Sequence, residues 1–260
     1  MIRSRWFAVA LGTALGVAVL FLAVPVIAVF ANTAPGDLLD SLGDASARDA
    51  LFLSLQTSAI ALALIVVVGT PAAYLLATRR FRGRGIVIAL VELPLVLPPA
   101  VAGIALLASL GPNGILGGLV EDAGLQLVLA KAGVVVALTF VASPFYLRQA
   151  QAAFEALDPR LLDASRTLGA SEARTFLRVA LPVARPGLLT GGALALGRAL
   201  GEFGATLMFA GSFRGITQTV PLAIYERFAT DFTGALALSA VLVAISAALL
   251  ASVKVLGARA

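Results

Sequence analysis

Long apolar runs, separated by short polar stretches, dominate the pattern of hydrophobic and polar positions along the chain. A bilayer core about 30 Å thick needs about 20 apolar residues per helix. Runs of this kind lie near residues 6–30, 52–78, 86–109, 129–147, 187–210 and 233–252. The pattern therefore predicts an all-α integral membrane protein, a bundle of six transmembrane helices.

The first apolar run raises the question of a cleavable signal peptide. Arg3 and Arg5 give it a basic start, and residues 29–31 resemble a cleavage site. The run over 6–30 is, however, far longer than the roughly 7–15 apolar residues of a signal core. We expect it to be retained as the first membrane helix.

Composition supports the membrane class and excludes several kinds of chemistry. The chain is 60% hydrophobic and 13% charged, whereas soluble domains are about a quarter charged. It has no cysteine and no histidine, which excludes disulfides, thiolate nucleophiles and histidine acid–base catalysis. We expect no catalytic residue and no metal site. The net charge of +5 does not by itself indicate a nucleic-acid partner.

The basic residues predict the orientation of the chain. With six spans, 14 of the 19 lysines and arginines fall on one side, in the N-terminus, 79–85, 148–186 and the C-terminal tail. Basic loops stay in the cytoplasm, so we expect both termini to be cytoplasmic.

The chain is expected to divide into three parts. Residues 1–50 hold the first transmembrane helix and an outer loop. Residues 51–252 form the core, which includes an organised cytoplasmic loop at about 150–186. Residues 253–260 form a short cytoplasmic tail.

The basic loop contains signals for two short amphipathic helices. Asp158-Pro159 is a typical helix start, and Gly169 is a typical stop because it tolerates a left-handed backbone. One face of the first helix carries Leu161, Ser165 and Leu168. Ser171 is placed to cap the second helix, and Pro182 is expected to end it. The predicted apolar stripe of this second helix is Ala173, Phe176, Leu177, Ala180 and Leu181.

Periodicity alone leaves three roles open for these helices. They can lie in the lipid headgroups, pack on their own chain, or dock into a groove of a soluble partner. The spacing is more specific: Asp163-Ala164-Ser165, three residues, Gly169, nine residues, Val179, one residue, then Leu181-Pro182. It resembles the EAA loop of ABC importer membrane subunits, E-A-A, three residues, G, nine residues, I, one residue, L-P. The departures are Asp for Glu, Ser for Ala and Val for Ile.

This resemblance implies a type I ABC importer permease bundle whose loop docks on a separate ATP-binding subunit. Leu161 and Leu168 would supply apolar contact, Asp163 and Arg166 polar registration, and Gly169 the sharp corner. The full expected docking set is Leu161, Asp163, Ala164, Ser165, Arg166, Leu168, Gly169, Val179, Leu181 and Pro182. The chain has no G-x-x-x-x-G-K-[ST] phosphate loop, so we expect ATP and Mg²⁺ on the partner and no cofactor on this chain.

Charged residues inside the predicted spans mark a candidate pathway or gate, because such charges are costly in a bilayer and are usually paired or functional. Glu92 lies in the third span, and Arg198 and Glu202 share one face of the fifth. Arg198 and Glu202 can form an internal ion pair that holds the bundle together, or they can line a polar pathway. The third span is interrupted by Pro94, Pro98 and Pro99, which mark either a gate or a simple kink.

Four segments resemble the molybdate permease subfamily, with sulfate/thiosulfate permeases close: "LPLVLPPAVAG", "FEALDPRLLDASRTLGAS", "LGRALGEFGATLMFAG" and "TQTVPLAIY". The resemblance implies an ATP-driven importer of molybdate or tungstate in a prokaryotic plasma membrane. The implied partners are two ABC ATPase subunits, a second permease chain that is a copy of this one, and an external substrate-binding protein docked near 31–50, 110–128 and 211–232. The alternative from another class is a self-contained secondary carrier that uses Glu92 or Glu202 as a proton site.

Overall fold

A computed structural model describes the backbone of residues 5–258 and the side chains of residues 6–252. The regular structure of this range is helical, which confirms the predicted fold class. In chain order the helices are α1 (Arg5–Ala31), α2 (Pro35–Gly43), α3 (Ala45–Thr78), α4 (Arg84–Val96), α5 (Pro99–Leu110), α6 (Gly117–Asp122), α7 (Lys131–Glu155), α8 (Pro159–Thr167), α9 (Glu172–Thr175), a π-helical turn (Phe176–Ala180), α10 (Leu181–Leu200), α11 (Gly204–Ala210), α12 (Val220–Phe228) and α13 (Phe232–Ala258).

Five stretches of the described chain are long and apolar enough to cross a membrane, and they correspond to all the predicted spans except the third. They are 6–31, 45–78, 131–155, 172–200 and 232–252. Helices α4 and α5 supply a sixth span if they are counted together. The prediction of six spans therefore holds on that count.

The predicted third span is not one straight helix. Helices α4 and α5 meet at an angle of 120°. Leu97 ends α4 with an extended backbone, and Pro98 caps α5, in which Pro99 is the first residue. A proline pushes the preceding residue out of the helical region, so two consecutive prolines prevent the helix from continuing at two successive positions. A simple kink is therefore the wrong description of this break.

The second loop helix was also predicted wrongly, because it does not end at Pro182. Helix α9, the π-turn and α10 run on as one helical rod, Glu172–Leu200. Pro182 has no N–H for a helical hydrogen bond and lies in the first turn of α10. Immediately before it, Leu181 N–H bonds to Phe176 O, five residues back. The π-turn thus carries the helix into a proline-containing segment.

Helix α7 lies at the centre of the bundle and contacts α3, α10 and α11. The buried ring of Tyr146 sits between two glycines. A Cβ on Gly69 would lie 3.0 Å from Tyr146 Cδ1, and one on Gly191 would lie 3.3 Å from Tyr146 Cδ2. The Tyr146 hydroxyl lies 2.6 Å from Thr70 Oγ1. The small residues therefore permit close helix packing.

Candidate functional site

Helix α8 begins and ends at the predicted residues. Asp158 Oδ1 accepts a hydrogen bond from Arg160 N–H at 3.0 Å. Beyond the last turn, Gly169 has φ +80° and donates its N–H to Arg166 O at 2.9 Å. A glycine in the left-handed region is a common way to end a helix and to turn the chain sharply. We call residues 158–175, which comprise α8, this turn and α9, the α8–α9 corner.

Two residues that the sequence reasoning missed hold the corner together from inside. Thr175 is fully buried, and its Oγ1 lies 2.9 Å from Ser165 Oγ. Leu162 is 8% exposed and joins the main apolar core. The signal for Leu162 was present, since it is as apolar as Leu161, but the periodicity argument chose the neighbouring face.

The two leucines of the predicted α8 face are exposed, whereas Ser165 of the same face contacts buried Thr175. Leu161 is 45% exposed and Leu168 is 87% exposed. In the following helix the predicted stripe is only partly correct, because Phe176 packs against the core whereas Leu177 is 58% exposed. A π-turn changes the angular step per residue, so a stripe drawn at 3.6 residues per turn does not remain on one face.

Charged side chains hold the α8–α9 corner together on its solvent-exposed surface. Arg166 donates from Nε and Nη2 to the two carboxylate oxygens of Glu172, at 3.0 and 3.3 Å. It also donates from Nη1 to Asp163 Oδ1 at 3.1 Å. The hydrogen bonds with Glu172 raise the pKa of the Arg166 guanidinium. Arg79, in the turn after α3, lies 3.6 Å from Glu172, so this network links two loops.

Three aromatic rings join the corner to the spans. Tyr74 on α3 lies 5.3 Å from Phe154 on α7 and 4.8 Å from Phe176 in the π-turn, measured between ring centroids. Val179 and Leu181 are half-buried and pack against the same core cluster. Aromatic pairs of this kind bury large apolar areas in defined geometries. The corner is therefore packed directly against α3 and α7.

The predicted ion pair in the fifth span is present. Arg198 Nη2 lies 2.5 Å from Glu202 Oε2, although the two groups are not aligned for a hydrogen bond. Glu202 is 1% exposed, and its Oε1 accepts from Ala205 N–H at 2.7 Å. Helix α10 ends at Leu200, so Glu202 lies in a break before α11 and not inside a continuous span.

The structure brings the predicted proline break and the unpredicted break at Glu202 together. A Cβ on Gly204 would lie 2.8 Å from Pro99 Cβ, and one on Gly103 would lie 2.7 Å from Ala205 O. Helices α5 and α11 therefore approach at backbone distance, and the Pro98-Pro99 break lies beside the Glu202 break.

The other candidate carboxylate of the pathway has a different partner. Glu92 pairs with Arg148 Nε at 3.3 Å, and Pro94 lies within α4.

A polar segment before α12, quoted above only for its resemblance to molybdate permeases, is buried in the structure. Thr217, Gln218 and Thr219 are almost fully buried, and the Gln218 amide donates to the Glu226 carboxylate. Glu226 also accepts from Arg214 Nη2 at 2.5 Å. The hydrogen bond from Arg214 lowers the pKa of Glu226 below its usual range, and Gln218 acts in the same direction.

Comparison with known proteins agrees with this architecture. Residues 69–260 match the family described as "Binding-protein-dependent transport system inner membrane component". The chain is 40% identical to the "Molybdenum transport system permease protein ModB" of Mycobacterium tuberculosis over 88% of this chain and 87% of the relative. It is 34% identical to the "Sulfate transport system permease protein CysW" of a Synechocystis species, over 88% and 84%.

Solved structures share the fold at low sequence identity. A chain of a bacterial ABC transporter for the import of alginate superimposes with a TM-score of 0.75 at 18% identity, over 99% of this chain and 97% of that one. A chain of the MetNI methionine ABC transporter gives 0.60 at 19% identity, over 81% and 92%. The family match covers most of the chain and the relatives cover nearly all of it, so this protein belongs to the family of binding-protein-dependent transport system inner membrane components.

Proposed function

We propose that the chain is the membrane permease subunit of an ATP-driven importer for a tetrahedral oxyanion, molybdate or tungstate. The observation that carries the proposal is the α8–α9 corner: a capped helix, a left-handed Gly169, and exposed Leu161 and Leu168. The 40% identity to a molybdenum transport permease supports the choice of substrate.

The α8–α9 corner is suited to dock into a groove of an ATPase subunit. Exposed leucines on a short helix are costly in water and favourable in an apolar groove. Arg166, Asp163 and Glu172 hold one another, so the helix is already shaped before docking and little ordering is needed. ATP and Mg²⁺ would be bound by that subunit, and this chain would not catalyse hydrolysis.

A continuous helix gives a physical route from the corner to the candidate gate. The rod Glu172–Leu200 has 29 residues, which at about 1.5 Å per residue is about 43 Å long. It begins at Glu172, which Arg166 binds, and ends beside the Arg198–Glu202 pair. A displacement of the docked corner would therefore move the break at Glu202 against Pro99. ATP-driven alternation between outward-open and inward-open states would use this movement.

The Arg198–Glu202 pair also suits an anion conduit. An unpaired arginine would hold a dianion strongly, whereas a conduit must bind weakly enough to release. Pairing with Glu202 reduces that attraction. We expect a second copy of this chain to complete the pathway, two ATPase subunits on the side of the termini, and a substrate-binding protein on the opposite side.

A second substrate deserves a direct comparison, because the Synechocystis relative at 34% identity is named a sulfate permease. The test is uptake in proteoliposomes that contain this chain, its ATPase and its binding protein. We expect ATP-dependent uptake of molybdate or tungstate that excess sulfate does not suppress. Sulfate uptake at equal or higher rate would move the assignment to sulfate. Uptake by this chain alone, driven by a pH gradient, would instead identify a secondary carrier.

A further inference from the structure

An acidic cavity lies where α2 and the start of α3 meet the α12–α13 turn. Its volume is about 350 Å³. Its lining residues include Asp37, Asp40, Ser41, Asp44, Arg227 and Asp231. A single buried water occupies about 30 Å³, so this cavity is large enough for a long side chain. All of these residues belong to the segments that the sequence places on the outer side.

The charges in the cavity do not cancel. Arg227 pairs with Asp44 and also donates to Ser46 Oγ at 3.0 Å. The lining holds three more carboxylates and no second cation. The three are Asp37, Asp40 and Asp231. Two of them serve backbone groups, since Asp37 accepts from Ala34 N–H and Asp231 from Gly234 N–H.

Asp40 is the carboxylate of this group whose side chain has no partner among residues 6–252. Among residues 6–252 it has no ion pair and no side-chain hydrogen bond, and only its backbone carbonyl accepts, from Asp44 N–H. An exposed carboxylate at one edge of an acidic cavity is ready to take a cationic group without first losing another partner.

A second, independent feature of the same cavity is a buried hydroxyl with no partner in the described part of the chain. Ser41 is 5% exposed, and its Oγ has no hydrogen-bond partner in the described part of the chain. Buried hydroxyls are nearly always hydrogen-bonded, because leaving one unpaired forfeits the bond that water would make. Ser41 lines the cavity, so a donor that enters there can satisfy it.

We propose that this cavity receives a lysine or arginine side chain of the external substrate-binding protein. Carboxylates and a hydroxyl are acceptors that match an ammonium or guanidinium group. The same carboxylates repel an oxyanion, so the cavity is not a substrate site. Within residues 5–258, no three acidic side chains are arranged to hold a metal ion. The inference rests on the proposed importer function, which supplies the binding protein.

Such a contact sets the salt dependence of docking. Charged groups at the rim of an interface mainly change the association rate, and added salt screens them. The cavity would also fix the orientation of the binding protein, because a long side chain enters it in one direction. The contact lies far along the chain from the α8–α9 corner, so the two can be tested separately.

The test uses the complete transporter in nanodiscs and its purified binding protein, with affinity measured by surface plasmon resonance. The perturbation is Asp40→Asn, and the matched control is Asp49→Asn, an exposed acid of the same predicted outer loop outside the cavity. We expect Asp40→Asn to weaken binding roughly tenfold at low salt, with the difference shrinking at high salt. The control should lose much less affinity, because Asp49 lies outside the cavity lining.

Equal affinities for Asp40→Asn and wild type, or an equal loss in Asp49→Asn, would overturn the proposal. So would an effect that a chelator abolishes, since that would assign the cavity to a metal ion.

Cysteine crosslinking provides the second readout, since the chain has no cysteine. Asp40→Cys should form a disulfide with a single cysteine that replaces one lysine or arginine of the binding protein, whereas Asp49→Cys should not. A crosslink from Asp49→Cys alone contradicts the proposal.

If the proposed importer function were wrong, the same experiments would give a different result. The wild-type chain would then retain no ATPase and would not bind the binding protein at any salt concentration.

Discussion

The substitution Gly169→Leu tests whether the α8–α9 corner docks on an ATPase subunit. Gly169 has φ +80°, and nothing lies within 4 Å of the position where its Cβ would be. The Cβ of a substituted residue therefore meets no clash within the chain, and its internal cost arises from the left-handed backbone. A left-handed conformation costs a non-glycine residue about 1–2 kcal/mol, which corresponds to roughly a 5- to 30-fold shift between conformations.

A series of substitutions separates backbone strain from steric obstruction. Gly169→Asn tolerates the left-handed region, so it adds bulk with little strain. Gly169→Ala adds strain with little bulk, and Gly169→Leu adds both. Gly215→Leu is the matched control, because Gly215 has φ +73°, equally open surroundings and a place on the predicted outer side.

The assay is pull-down of the ATPase subunit, followed by ATP hydrolysis and uptake in proteoliposomes. We expect Gly169→Ala to weaken ATPase binding by about 5- to 30-fold and Gly169→Leu to abolish ATP-coupled uptake. Loss in Gly169→Asn as well would show that the partner packs directly on this position. Normal uptake in Gly169→Leu, or an equal loss of ATPase binding in Gly215→Leu, would refute the role of the corner.

Three further predictions concern stability, each read from thermal unfolding in detergent. Arg198→Ala leaves the Glu202 carboxylate buried and unpaired, which should cost up to about 3 kcal/mol, and adding Glu202→Gln should recover most of the loss. Thr70→Val removes the partner of the buried Tyr146 hydroxyl and should cost about 1–3 kcal/mol, whereas Thr70→Ser should cost less. Because the pKa of Glu226 is lowered, its contacts stabilise the fold above its ordinary value near 4.3 and are lost as the pH falls through the lowered value. Glu226→Gln should therefore lose less stability than the wild type below about pH 4.3, and an equal loss would contradict this reading.

Local signals in the sequence sufficed for much of the fold. Apolar length predicted the spans, because a bilayer demands it of any crossing helix. Asp158 and Gly169 predicted the ends of α8, because their chemistry acts within one turn. The Arg198–Glu202 pair also followed from spacing.

Other features depend on groups distant in the chain and escaped prediction. The 120° angle between α4 and α5 is associated with close packing of Gly103 and Gly204 against partners on another helix. The π-turn before Pro182 keeps the rod helical, although a proline normally suggests an end. Helices α2 and α12, in the predicted outer segments, were not predicted, because such short helices leave little periodicity to read.

The most direct test of the central claim is a crosslink between α8 and the ATPase. Leu168 is 87% exposed, and the chain has no cysteine, so Leu168→Cys gives a single defined thiol. We predict a disulfide with a single cysteine placed in the surface groove of the co-purified ATPase, at a yield that changes when ATP is added. A cysteine that reacts only with lipid-soluble reagents or with its own chain, and never with the ATPase, would contradict the account.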